Sequence, residues 1–145
     1  MEPRLNMSKT QPAAYHAMLG LEKYLDGTQL TDTQKDLIKI RASQINKCAY
    51  CLGMHTTDAR KHGETEQRIY LLNAWRETTL YTEEERALLA LTEEITLISE
   101  HGVSDETYQQ GLKFFGEERL AQIIMAVVAI NAWNRIGITL HMQPA

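Results

Sequence analysis

The sequence predicts an all-α domain, and three observations carry that expectation. Apolar residues recur three and four apart, as in Leu88, Leu91, Ile95 and Ile98, the spacing that lines one face of a helix. Helix-start signatures recur as well: Thr31 with Gln34 and Thr82 with Glu85 both fit a capping box. No alternating apolar and polar run is bounded by turn residues, so no strand is assigned. A chain of 145 residues, 43% of them hydrophobic, suits one globular domain with a substantial core.

The elements follow in order. Residues 1–10 are polar and aperiodic and are expected to form a loose tail, with the domain over 11–145. Pro12 opens a helix carrying Tyr15, Met18, Leu19 and Leu25, and Gly27 stops it. The helix begun at Thr31 carries Leu37, Ile38, Ile40 and Ile45, with Asp36 among them and Lys39 and Arg41 decorating the rest. Asn46-Lys47 breaks that pattern. A third helix runs from Ala49 to His62 and ends at Gly63. A fourth spans Thr65 to Trp75, with Ile69, Leu72 and Trp75 on one stripe. Thr82 opens a longer helix whose acidic groups, Glu83-Glu84-Glu85 and Glu93-Glu94, read as solvated faces. Ser104 caps a short helix through Phe115, Gly116 closes it, and the most apolar helix runs from Glu117 to about Gly137. About six or seven helices result. Tyr70, Leu71, Leu72, Trp75 and the run Ile123 to Val128 imply burial on more than one face, so a homo-oligomer is expected.

Composition excludes several functions. The net charge is −4, and the 15 Lys and Arg are scattered, which gives neither nucleic acid nor an anionic membrane a footprint. The apolar run Ile123 to Ile130 is too short to span a bilayer, and the first residues hold no signal-peptide pattern. A cytoplasmic protein is therefore expected. There a permanent structural disulfide is unexpected, so a C-x-x-C reads as redox-active or metal-binding. No phosphate-cradling glycine motif is present, and no cofactor is expected.

The chemistry concentrates in Cys48-Ala49-Tyr50-Cys51-Leu52-Gly53-Met54-His55, which holds both cysteines. A C-x-x-C at a helix start brings two sulfurs within disulfide reach, and the helix N-terminus favours the thiolate. His55 falls one turn from Cys51 on the same face. That pairing selects Cys51 as the nucleophile and Cys48 as the thiol that resolves its sulfenic acid into a disulfide. Lys47 and His55 are both placed to lower a thiol pKa. Asp36, twelve residues before Cys48, is the candidate carboxylate that orients His55 or passes it a proton. The rival reading makes Cys48, Cys51, His55 and Asp36 metal ligands, but structural zinc sites usually carry two ligand pairs and only one is present. The bland readings are two inert buried thiols, a solvated Asp36 complementing the helix dipole, and a Tyr50 that merely packs. Trp75, Trp133, Met125, Phe114 and Phe115 read as core or interface.

With those residues in view, the chain resembles the AhpD-like alkylhydroperoxidases of the carboxymuconolactone decarboxylase superfamily. The resemblance covers about Thr31 to Leu140 and rests on Asp36 to Cys51 with His55, on Glu85 to Glu93, and on Ile130 to Ile136. It implies an all-helical subunit assembled as a dimer, trimer or hexamer. It also implies a thiol-dependent hydroperoxide reductase needing neither haem nor metal. In the family the second cysteine attacks the peroxide and the first resolves it, which places these roles on Cys51 and Cys48. The family's histidine falls on His55 and its relay glutamate on Asp36, shorter by one methylene. Tyr50 stands where some members have a further histidine. The decarboxylase branch generally lacks the cysteine pair, which argues against lactone decarboxylation. The resemblance points to a dihydrolipoamide-type dithiol as reductant. Two alternatives accompany it: a thiol–disulfide oxidoreductase, and a non-catalytic redox-sensing oligomer.

Overall fold

A computed structural model describes all 145 residues. It is entirely helical, with no strands. In chain order the α-helices are α1 (Met7–Thr10), α2 (Pro12–Asp26), α3 (Asp32–Asn46), α4 (Ala49–Lys61), α5 (Glu66–Tyr70), α6 (Glu83–Thr96), α7 (Ile98–His101) and α8 (Asp105–Thr139). A 3-10 helix, Leu72–Glu77, lies between α5 and α6.

The local signals act as expected. Both capping boxes form: Thr31 and Thr82 accept from the amides of Gln34 and Glu85, whose side chains accept from the capping residues' own amides. Pro12 occupies the first turn of α2, where its missing N–H costs nothing. Gly116 breaks α8 with a positive φ of 71°, a conformation that only glycine adopts freely. The chain then re-enters the helix in a new direction. The fourth predicted helix divides, because Ala74 leaves helical geometry and Leu72–Glu77 tightens to 3-10 pitch.

Helices α3, α6 and α8 pack around one core. Leu37, Ile38 and Ile40 of α3 meet Leu88, Leu89 and Leu91 of α6 and Leu120, Ile123, Val127 and Ile130 of α8, all at 2% exposure or less. By length and composition alone α8 could cross a membrane. Its buried residues instead line this core.

Two sequence expectations fail here. Glu93 is not a solvated carboxylate. It is buried, accepts from Trp75 Nε1 at 3.1 Å and Arg41 Nε at 2.8 Å, and is also paired with Arg76. Glu85 is bound by Arg68 at 2.6 Å, and Arg68 also holds Glu64 at 2.8 Å. A helical pattern of acids does not show which face a distant arginine will cover. The second failure is the loose tail. Asn6 caps α1, Arg4 donates from its amide to Leu140 O and from its guanidinium to Thr139 O, both at 3.0 Å, and His141 Nδ1 lies 3.1 Å from Glu2 O. The N-terminal segment is tied to the end of α8, where a cation also complements the helix dipole.

Candidate active site

The turn between α3 and α4 fixes the cysteines. Lys47 adopts a left-handed φ of 60° and closes α3, its amide bonded to Gln44 O. Cys48 then donates to Ser43 O at 3.0 Å and becomes the N-cap of α4, its sulfur accepting from Cys51 N at 3.3 Å. The two sulfurs are bonded to each other, with Cα atoms 5.3 Å apart, the expected reach of a C-x-x-C at a helix start. Both cysteines are buried.

Helix α8 backs this turn. Asn46 Nδ2 donates to Asn131 and Asn134, each at 2.9 Å, and fully buried Asn134 donates to Ser43 Oγ at 3.0 Å. One turn further on, Gly137 lies against the disulfide. A Cβ there would sit 3.4 Å from the Cys48 sulfur and 3.7 Å from that of Cys51. Both are ordinary van der Waals distances, so a single methyl would fit there and a larger side chain would press on the sulfurs.

In front of the disulfide lies a mostly apolar cavity of about 530 Å³, within the range of small-molecule sites. Cys51 and His55 line it, with Tyr50 and Met54 of the same helix; Cys48 does not. Tyr15, Leu19 and Glu22 of α2 form one wall. Trp133 forms another, meeting Tyr15 edge-to-face at 6.0 Å and donating from Nε1 to Glu22 at 2.9 Å. Tyr50 therefore lines the site as well as packing.

His55 is neutral in this setting. Burial, reinforced by the nearby Lys39 charge and opposed by Asp58, pushes its pKa down to about 4. A neutral imidazole can accept a proton. Lys39 lines the cavity with it and has no carboxylate within ion-pair distance. Lys47, the cation expected beside the thiols, is exposed and borders a separate depression with Arg41, Gln44 and Asn73.

The expected Asp36–His55 relay contact is corrected. Buried Asp36 is bonded to His62, Oδ2 to Nδ1 at 2.7 Å, and does not line the cavity. Helical rise supplies the reason. At 1.5 Å per residue, and measured from Cys48 in the turn, Asp36 lies about 18 Å back along α3, His55 only about 10 Å along α4 and His62 about 21 Å along it. In a hairpin of two helices Asp36 therefore comes level with His62. Burial raises the Asp36 pKa against the opposing bond from His62, and the same bond raises that of His62. With Asp36 engaged there, the ligand set of the metal reading is not gathered either.

Sequence reasoning missed Lys39, Trp133 and Gly137 as site residues. A signal existed for the last two: Trp133, Gly137 and Leu140 recur at helical spacing, the pattern of one face.

The model of the carboxymuconolactone decarboxylase family matches residues 12–94. The chain belongs to the carboxymuconolactone decarboxylase family. Within this family of enzymes it is 44% identical, over its whole length and 99% of the relative's, to the uncharacterized protein YdfG of Bacillus subtilis (strain 168). It is 40% identical, with a TM-score of 0.96 and 99% of both chains covered, to an Agrobacterium tumefaciens protein of unknown function provisionally assigned to antioxidant defence as AhpD. A debrominase crystallised with 2,3,4-tribromopyrrole shares the fold, with a TM-score of 0.84, 20% identity, and 94% of this chain and 73% of its own covered. The AhpD-like all-α fold expected from sequence is thus the fold observed.

Proposed function

We propose that this family member is a cytoplasmic, thiol-dependent hydroperoxide reductase in which Cys51 attacks the peroxide. One observation carries the proposal: of the two cysteines only Cys51 lines the cavity, and it shares that wall with a neutral His55.

The reaction begins from the reduced dithiol. His55 takes the Cys51 proton, and the thiolate attacks the terminal oxygen of the hydroperoxide. The O–O bond breaks, the alcohol leaves with the proton returned by His55, and Cys51 becomes a sulfenic acid. The Cys48 thiol then attacks the Cys51 sulfur and expels water, which closes the disulfide. A small dithiol, with the lipoyl type as the proposed reductant, restores both thiols and is itself oxidised to a disulfide. The cap bond from Cys51 N to the Cys48 sulfur supports this last step. A reductant entering from the cavity meets Cys51, and Cys48 departs as the thiolate that the helix start stabilises.

That leaving-group arrangement also favours the second reading, a thiol–disulfide oxidoreductase acting on an external disulfide through Cys51. Consumption of an organic hydroperoxide with a lipoyl dithiol, wild type beside Cys51→Ser, tests the choice. Sustained turnover lost in the variant supports the peroxidase. Absent turnover with ready disulfide exchange supports the second reading. A disulfide that forms once and alters assembly, with neither activity, supports the redox sensor.

The proposal includes a homo-oligomer. Buried Leu72, Trp75, Ile123 and Val127 belong to the core, but Tyr70, Leu71, Met125 and Val128 remain exposed and supply apolar surface for a second copy. Light scattering in solution measures the order.

A further inference from the structure

The cavity in front of Cys51 is not closed by the segment that the family model matches. Leu5, Met7 and Ser8 form part of its wall, as does Met142 from the other end of the chain, and all four lie outside residues 12–94. Residues 2–8 reach this position by specific anchorage. Arg4 spends its amide and its guanidinium on Leu140 O and Thr139 O, carbonyls at the C-terminal end of α8 that have no partner within the helix. Glu2 O meets His141, and Asn6 both caps α1 and lines the cavity. Met7 is half-buried, whereas Leu5 keeps about half its surface, 53%, in solvent. Two apolar side chains are therefore held over a reactive disulfide where α1, a single turn of helix, adds nothing to the core.

We propose that residues 2–8 are a specificity strap, in which Leu5 and Met7 select the apolar body of the substrate entering toward Cys51. Arg4 latches the strap, and Trp133 and Tyr15 offer the facing aromatic wall. The proposal depends on the peroxidase reading for its choice of probe. A substrate with a compact hydrocarbon body fills the space between strap and wall, and hydrogen peroxide has no such body. The strap thus sets the preference between them without touching the reacting sulfur.

The test compares wild type, Leu5→Ala/Met7→Ala and Arg4→Ala with cumene hydroperoxide and hydrogen peroxide, using a small dithiol reductant. The ratio of the two kcat/KM values should fall about tenfold in the double variant, the low end of what apolar contacts decide in a pocket. Arg4→Ala should move it in the same direction. The volume-conserving Leu5→Met/Met7→Leu should keep the wild-type ratio, which a merely disordered segment would not do. Cumyl alcohol, the unreactive product, supplies an independent readout by calorimetry on the oxidised protein. Its Kd should rise about tenfold in the double variant, by the same argument. Failure of wild type to turn over either peroxide defeats the peroxidase reading, and the strap is then judged on cumyl alcohol alone. An unchanged ratio and Kd in the double variant, or no binding of the alcohol to wild type, overturns the strap.

Discussion

His55 must be uncharged to take a proton from a thiol, and two neighbours set that condition: the surrounding apolar wall and Lys39. Lys39→Met should raise the His55 pKa from about 4 toward the ordinary value near 6.5, read from the ring protons by NMR titration. An unmoved titration would show that Lys39 does not act on the ring. Asp36→Asn should instead lower the pKa of His62, whose upward shift comes from its bond with Asp36, and leave His55 in place. Turnover should then be retained, since Asp36 does not line the cavity. A titration in which His55 follows Asp36 would restore the relay expected from sequence. The cysteine pair and His55 were legible because their chemistry lies within eight consecutive residues. Asp36 was misread because contact between two helices depends on their relative level, which residue spacing from the cysteine does not state. Lys39 was invisible for a related reason. A lysine on a polar face looks like any other until the opposing wall is known.

Among the elements, α8 decides whether the cysteine turn keeps its place. Asn134 is buried and accepts from Asn46 while donating to Ser43, so it joins the last helix to the end of α3. Asn134→Leu should cost roughly 1–3 kcal/mol in chemical denaturation, because it takes the donor from the buried Ser43 hydroxyl, whereas half-buried Asn46 keeps its bond to Asn131. A loss under ~0.5 kcal/mol would show that water can replace the side chain. Gly137→Val should cost about 1–3 kcal/mol by overpacking against the disulfide. Reduction of the Cys48–Cys51 bond should lessen that penalty if the sulfurs separate. Helix starts were readable from Thr31 and Thr82, and the break in α8 from Gly116, since these effects act within one turn. The Glu93 cluster was not readable. Its three partners, Arg41, Trp75 and Arg76, arrive from two other elements.

Across the whole molecule, the site depends on segments far apart in the chain: α4 supplies the chemistry, α2 and α8 the walls, and the N-terminal segment the cover. Helical periodicity predicted the elements but not this assembly, and the residues read as a loose tail prove to be anchored by Arg4. Assembly also gives stability a pH dependence. With a folded pKa near 4 against about 6.5 unfolded, His55 is protonated first in the unfolded chain. Its neutral burial therefore lowers stability as pH falls from about 6.5 toward 4, by on the order of 2 kcal/mol after allowance for solvent at a half-buried ring. His55→Gln should flatten the stability profile in that window, measured by urea denaturation at successive pH values. An equal slope in wild type and variant would show that His55 is solvated. His62 acts on the other side: its raised pKa lends stability that is complete below about 6.5 and is lost as pH rises through the folded value.

The most direct test of the chemistry is to treat reduced Cys48→Ser with one equivalent of cumene hydroperoxide, trap any sulfenic acid with dimedone and locate it by peptide mass spectrometry. The adduct should form on Cys51, with one alcohol released per chain. An unmodified Cys51 with the peroxide unconsumed would contradict the assignment. So would dimedone found on Cys48 when the same treatment is given to Cys51→Ser.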